Sequence, residues 1–202
     1  MHLGLLWRRR VTLAYFNIVP LHANSIVSQS CAERSISMKH SLLLIMVLSL
    51  FSTHLSATPL TVGSAAPQLV AIDHKGTSID LGASFNEGVT VVFFYPKALT
   101  PGCTKQACSL RDAWDLLKKR NVTVYGVSSD TASTQEQFRN KHELPFTLIA
   151  DTDKSVSQAF GRGRWSRQAY IFNDGILVWL DLKASTAKQA DDVLAALDAL
   201  GI

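Results

Sequence analysis

Val89-Thr90-Val91-Val92-Phe93-Phe94-Tyr95-Pro96-Lys97-Ala98-Leu99-Thr100-Pro101-Gly102-Cys103 runs from a continuous apolar segment into a cysteine behind a Thr-Pro-Gly turn. The apolar segment predicts a strand over Val89–Tyr95 that is buried on both faces. An amphipathic helix is predicted over Cys103–Lys119, so Cys103 stands at its N-terminus. There it faces unpaired backbone N–H groups and the positive end of the helix dipole, which favour the reactive thiolate over the thiol. A second cysteine, Cys108, follows five positions later.

Outward from this segment the chain alternates strand and helix. Gln68–Asp73 and Thr77–Leu81 read as a hairpin around His74-Lys75-Gly76. After the cysteine helix come a strand over Val122–Ser128, a helix over Ser133–His142 with Ser133 and Glu136 spaced as a capping box, and a strand over Phe146–Ala150. A short helix over Lys154–Phe160 precedes Arg167–Phe172 and Ile176–Leu182, which flank the hairpin turn Asn173-Asp174-Gly175. An amphipathic helix over Thr186–Leu200 closes the chain. This order predicts an α/β fold with a mixed central sheet, helices on both faces and an N-terminal β-hairpin.

At 100° per residue, Cys103, Ala107, Leu110, Trp114 and Leu117 share the apolar face of their helix. Cys108 falls on the polar face with Asp112, Asp115 and Lys119, so it is expected to point to solvent. Two Cα atoms five apart in an α-helix are about 8.7 Å apart, and a disulfide needs less than about 7 Å. Any Cys103–Cys108 bridge therefore requires local unwinding.

Other chemistries fit poorly. From Thr58 onward the only histidines are His74 and His142, remote in sequence from the cysteines, so no zinc-ligand spacing exists. There is no Cys-x-x-Cys and no Gly-rich phosphate loop. Gly161-Arg162-Gly163, with Arg164 and Arg167, reads as a solvated loop or an anion site. Thr100 is placed to aim its hydroxyl at Cys103, and Arg167 is a candidate guanidinium for the sulfur.

The N-terminus divides into two segments. Residues 38–57 have a short basic start, an apolar core over Leu42–Phe51 and small residues ending at Ala57, the layout of a signal peptide. That core is too short to span a bilayer, which takes about 20 residues, so no stable anchor is expected. Residues 1–37 read as an upstream over-extension or, being arginine-rich, as a transit segment. Residues 1–57 carry five basic residues against Glu33, leaving 15 basic and 15 acidic residues from 58 to 202. That balance argues against nucleic acid or an anionic membrane as partner. One domain over 58–202, exported and expected to be periplasmic, is the reading, with an organellar or cytoplasmic location as the alternative.

Pro96-x-x-x-Thr100-x-x-Cys103 resembles the peroxiredoxin active-site pattern. Phe94-Tyr-Pro-Lys with Thr100-Pro-Gly-Cys-Thr-Lys-x-Ala-Cys108 is similar to the peroxiredoxin Q, or bacterioferritin comigratory protein, branch. The likeness continues through Gly126-Val-Ser-Ser-Asp130, Leu144-Pro-Phe146 and the strand entered at Arg167, covering Val62 to Leu200. The resemblance implies a thioredoxin-like fold and a monomeric thiol peroxidase without metal or organic cofactor. Cys103 would be the peroxidatic cysteine and Cys108 the resolving one. Thr100 would polarise the peroxide, Arg167 would stabilise the thiolate and the developing negative oxygen, and Pro96 would shield Cys103. Peroxide would be the substrate and a thioredoxin-like dithiol the reductant. Gln106, Gln168 and Ala169 depart from the usual pattern, and Arg164 competes with Arg167 for the arginine role. Two alternatives remain at this point: a disulfide-exchange or redox-sensing protein, and a thioredoxin-like binding module with incidental cysteines.

Overall fold

The apolar run forms β3 (Val89–Phe94), the central strand of a five-stranded sheet. It is parallel to β4 (Thr123–Ser128) and antiparallel to β6 (Gln168–Asn173). β5 (Thr147–Ala150) extends the sheet beyond β4 in parallel, and β7 (Ile176–Asp181) pairs antiparallel beyond β6. The computed structural model describes residues 59–163 and 165–202; the leader segments read at 1–37 and 38–57, and Arg164, lie outside the described residues.

Alternation along β3 explains why its run is unbroken. Val91, Phe93 and Tyr95 enter one core and Val92 and Phe94 the other, all at 1% exposure or less. The first core is closed by α2 (Pro101–Asp112), α3 (Trp114–Lys119), α4 (Ala132–Lys141) and α6 (Gln189–Leu200). The second packs α1 (Leu81–Phe85) and α5 (Ser155–Ala159) beneath an aromatic cluster in which Phe85 stacks on Phe172 at 4.9 Å. The mixed sheet with helices on both faces is thus as expected. So is the β6–β7 turn, where Asp174 and Gly175 both have positive φ (45° and 79°), as a two-residue type I′ turn demands. Among the described residues, no helix is long and apolar enough to cross a membrane.

Several boundaries differ from the sequence reading. The helix expected over Cys103–Lys119 is two helices broken at Ala113, which serves as C-cap of one and N-cap of the other. Asp80 caps α1 through Ala83 N–H, so Leu81 begins a helix rather than ending a strand. The cap of α4 is Thr131, whose Oγ1 accepts from Thr134 N–H at 3.3 Å, two residues before the expected Ser133. The last helix starts at Gln189 because Ser185 Oγ captures the N–H groups of Ala187 and Lys188 in a turn.

The N-terminal hairpin, β1 (Val70–Ile72) with β2 (Ser78–Asp80), is a separate two-stranded sheet anchored to β5 through His74. His74 N–H donates to Leu148 O at 2.8 Å, and Leu148 N–H donates to His74 Nδ1 at 3.4 Å. Burial, and then the charge of Arg139, lower the His74 pKa below its ordinary 6.5. The fold holds this ring neutral while the unfolded chain protonates near 6.5, so its contribution is complete above that pH and lost as pH falls. Denaturant midpoints between pH 7.5 and 5 are expected to fall with acid, and less steeply in His74→Gln.

Candidate active site

The end of β3 sets the site. Tyr95 N–H makes a last sheet bond to Val127 O at 3.1 Å, and Pro96, half-buried and without an N–H, ends the ladder. The turn from Pro96 to Thr100 is held from β4. Asp130 Oδ2 accepts from Ala98 N–H at 2.7 Å and from Ser128 Oγ at 2.6 Å. Ser128 Oγ in turn accepts from Gln135 Nε2 at 2.9 Å, and Tyr95 OH donates to Gln135 Oε1. Burial pushes the Tyr95 hydroxyl far up from its ordinary range, so it remains a donor in this network. Within the turn Leu99 has a φ of 61°, a left-handed conformation that costs a side-chain-bearing residue about 1 kcal/mol or more.

Thr100 is the N-cap of α2, Pro101 takes the first position and Cys103 the third. The Cys103 side chain is 1% exposed, and both Cys103 and Cys108 are free thiols. From the opposite side of the site, Arg167 precedes β6 and is held by Ala184 N–H donating to its carbonyl at 3.1 Å. Its Nη1 donates to Cys103 Sγ at 3.2 Å and to Gln106 Oε1 at 2.9 Å. A guanidinium touching a buried sulfur at a helix N-terminus is an arrangement that stabilises negative charge.

The AhpC/TSA family pattern matches residues 62–179, more than half of the chain, and spans every element of this site up to Arg167. The chain belongs to the AhpC/TSA family. Within this family it is 42% identical over 113 residues to peroxiredoxin Bcp of Escherichia coli K12, an alignment covering 56% of this chain and 70% of that protein. It is also 42% identical over 99 residues to chloroplastic peroxiredoxin Q of rice, Oryza sativa subsp. japonica, covering 49% of this chain and 45% of that one. The chain thus spans about half the length of that plant relative. The bacterioferritin comigratory protein of Xanthomonas campestris, described for its alkyl peroxide reduction activity, superposes with a TM-score of 0.63 at 25% identity, covering 69% of this chain and all of that one. The fold is accordingly the thioredoxin-like fold of the peroxiredoxins.

Of the five residues singled out from the sequence, Cys103 and Arg167 meet directly. Thr100 does not aim its proton at the sulfur: its Oγ1 donates to Lys97 O at 2.9 Å, because that hydroxyl closes the turn leading into α2. Cys108 does not point freely to solvent either; it is half-buried, and burial pushes its thiol up, with Arg111 pulling it down. α2 is wound from Pro101 to Asp112, so both cysteines lie within one helix at the separation that precludes a bridge.

The residue the sequence reading undervalued is Gln106. It looked like a departure from a family pattern, yet it is fully buried and holds Arg167. Its Nε2 donates to Gln189 Oε1 at 2.8 Å and, at the long distance of 3.4 Å, to Phe94 O. The available signal was its place three residues after Cys103, on the neighbouring part of the same helix face. Asp130, which fixes the turn, was noted only as part of a likeness.

Gly102 is required by the arginine. A Cβ built there would lie 2.9 Å from Arg167 Nη2 and 3.7 Å from Thr186 Cγ2. The clash is with the tip of a flexible side chain, so Gly102→Ala is expected to displace Arg167 rather than unfold the domain. Under the thiol-peroxidase function proposed below, peroxide consumption should fall roughly 10- to 100-fold, with the denaturant midpoint nearly unchanged; the two measurements together check the claim.

Proposed function

We propose that this chain is a thiol-dependent peroxidase acting through Cys103 and Cys108. The observation that carries the reading is the single guanidinium nitrogen of Arg167 shared between Cys103 Sγ and Gln106 Oε1. The Cys103 thiolate attacks the nearer peroxide oxygen, the O–O bond breaks, and water or an alcohol leaves with one added proton. Cys103 becomes a sulfenic acid. Arg167 faces the charge that develops as the O–O bond lengthens. Thr100 has committed its proton to Lys97 O, so its lone pairs are left to accept from the peroxide O–H and orient it. Pro96 flanks the turn and shields the sulfur from bulk water.

In the second step the first turns of α2 unwind, Cys108 sulfur attacks the sulfenic sulfur, and water leaves as the disulfide forms. Unwinding also relieves the burial that pushes the Cys108 thiol up. A thioredoxin-like dithiol then takes up the oxidation by exchange, restoring both thiols. Hydrogen peroxide and organic hydroperoxides are the proposed substrates, the latter supported by the activity described for the Xanthomonas protein. The protein acts as a monomer and carries an export signal at 38–57, which processing after Ala57 tests by N-terminal mass.

Turnover distinguishes this function from simple disulfide exchange. The full chain, supplied with hydrogen peroxide or tert-butyl hydroperoxide and a recycling dithiol protein, is expected to consume many equivalents of peroxide. Consumption no faster than with the dithiol protein alone would leave exchange or binding as the function.

A further inference from the structure

Gln189 opens α6, 83 residues beyond Gln106, and has no exposed surface. Its Oε1 accepts from Gln106 Nε2 at 2.8 Å, while its own Nε2 is buried without a partner among the described residues. A buried unpaired amide donor is destabilising, and an apolar side chain of similar size would avoid it. What an apolar side chain could not supply is the acceptor.

That acceptor matters because an amide has two orientations half a turn apart. Arg167 only donates, so it is held by Gln106 solely when the amide oxygen faces it. The other end of the amide must then find acceptors. Phe94 O is distant at 3.4 Å, leaving Gln189 Oε1 as the well-formed partner. Gln106 also lies between Cys103 and Cys108 on α2, so unwinding that segment carries it off Gln189.

We propose that Gln189 is a positioning residue for the peroxide reaction: through Gln106 it fixes Arg167 against Cys103 Sγ and clasps α2 in its wound form. This rests on the peroxidase function above. It predicts a loss confined to the first chemical step, which a packing residue would not give.

The test uses the full chain with hydrogen peroxide, rapid quenching and intact mass to follow sulfenic acid and disulfide separately. Gln189→Met is expected to slow sulfenic acid formation roughly three- to tenfold, with disulfide closure as fast or faster and the unfolding midpoint unchanged or raised. Gln189→Glu keeps an acceptor and should restore the first rate. In a Gln106→Glu background both oxygens accept and no amide orientation remains to be set, so adding Gln189→Met should change the first rate by less than about twofold. Gln189→Leu replaces the methionine variant if that one does not fold. Equal losses in both backgrounds, or two steps slowed together with a lowered midpoint, would make Gln189 a packing residue and overturn the proposal. If the unaltered chain ignores peroxide, the peroxidase function fails instead. The rate of Cys103 alkylation by iodoacetamide then reads the clasp, with the same ordering of variants expected.

Discussion

Cys103→Ser is expected to abolish peroxide reduction while leaving the domain folded. Serine is nearly isosteric with cysteine, and its hydroxyl can accept the Arg167 hydrogen bond that the sulfur accepts now. The stability cost should therefore stay within about 1–3 kcal/mol. The chemistry has no such latitude. A hydroxyl remains protonated at neutral pH, is a far weaker nucleophile toward peroxide oxygen and forms no sulfenic acid. Cys108 cannot substitute: it is half-buried on another face of α2, burial pushes its thiol up, and Arg167 directs its Nη1 to Cys103 and Gln106 instead. Peroxide consumption at the background rate, with a cooperative unfolding transition retained, is the expected pair of results. Residual turnover above background would move the nucleophile elsewhere.

Arg167→Met should carry the second-largest loss. Methionine retains much of the side-chain volume but none of the donors, so the sulfur loses its cation and the breaking O–O bond loses its electrostatic support. Removing one such donor from a buried site costs roughly 10²–10³-fold in rate. Gln106 Oε1 also loses its partner, which adds about 1–3 kcal/mol of destabilisation. Arg167→Lys separates the two roles. A lysine restores the charge as a compact, strongly hydrated ammonium on a flexible stem, not as a rigid guanidinium held beside both the sulfur and the amide, so it should recover only part of the rate. The second-order rate constant with hydrogen peroxide, measured under single-turnover conditions for all three proteins, checks this order.

The parts of the site set by local rules were legible in the sequence. The apolar run that became β3, the Thr-Pro-Gly entry to α2 and the two-residue turn at Asp174 and Gly175 each depend on neighbours within a few positions. Cys103 on the buried face follows from helical periodicity alone. The break at Ala113 was not visible, because no proline or glycine marks it. The capping box at Ser133 and Glu136 was a sound local pattern, but Thr131 Oγ1 accepts from Thr134 N–H and starts the helix at Ala132. Gln106 shows the deeper limit. Nothing near it in the chain indicates that Arg167, 61 residues on, and Gln189, 83 residues on, converge on its two ends. Such convergence belongs to topology, where α2, α6 and the start of β6 meet at one end of β3.

One equivalent of hydrogen peroxide added to the reduced full chain, which holds three cysteines including Cys31, tests the proposed peroxidase pair most directly. Within seconds, two thiols should disappear and the intact mass should drop by about 2 Da, the loss of two hydrogens on forming one disulfide. Peptide mapping should place that bond between Cys103 and Cys108, and Cys108→Ser should halt the protein at the sulfenic acid. Three surviving thiols and an unchanged mass would contradict peroxide reduction through Cys103 and Cys108.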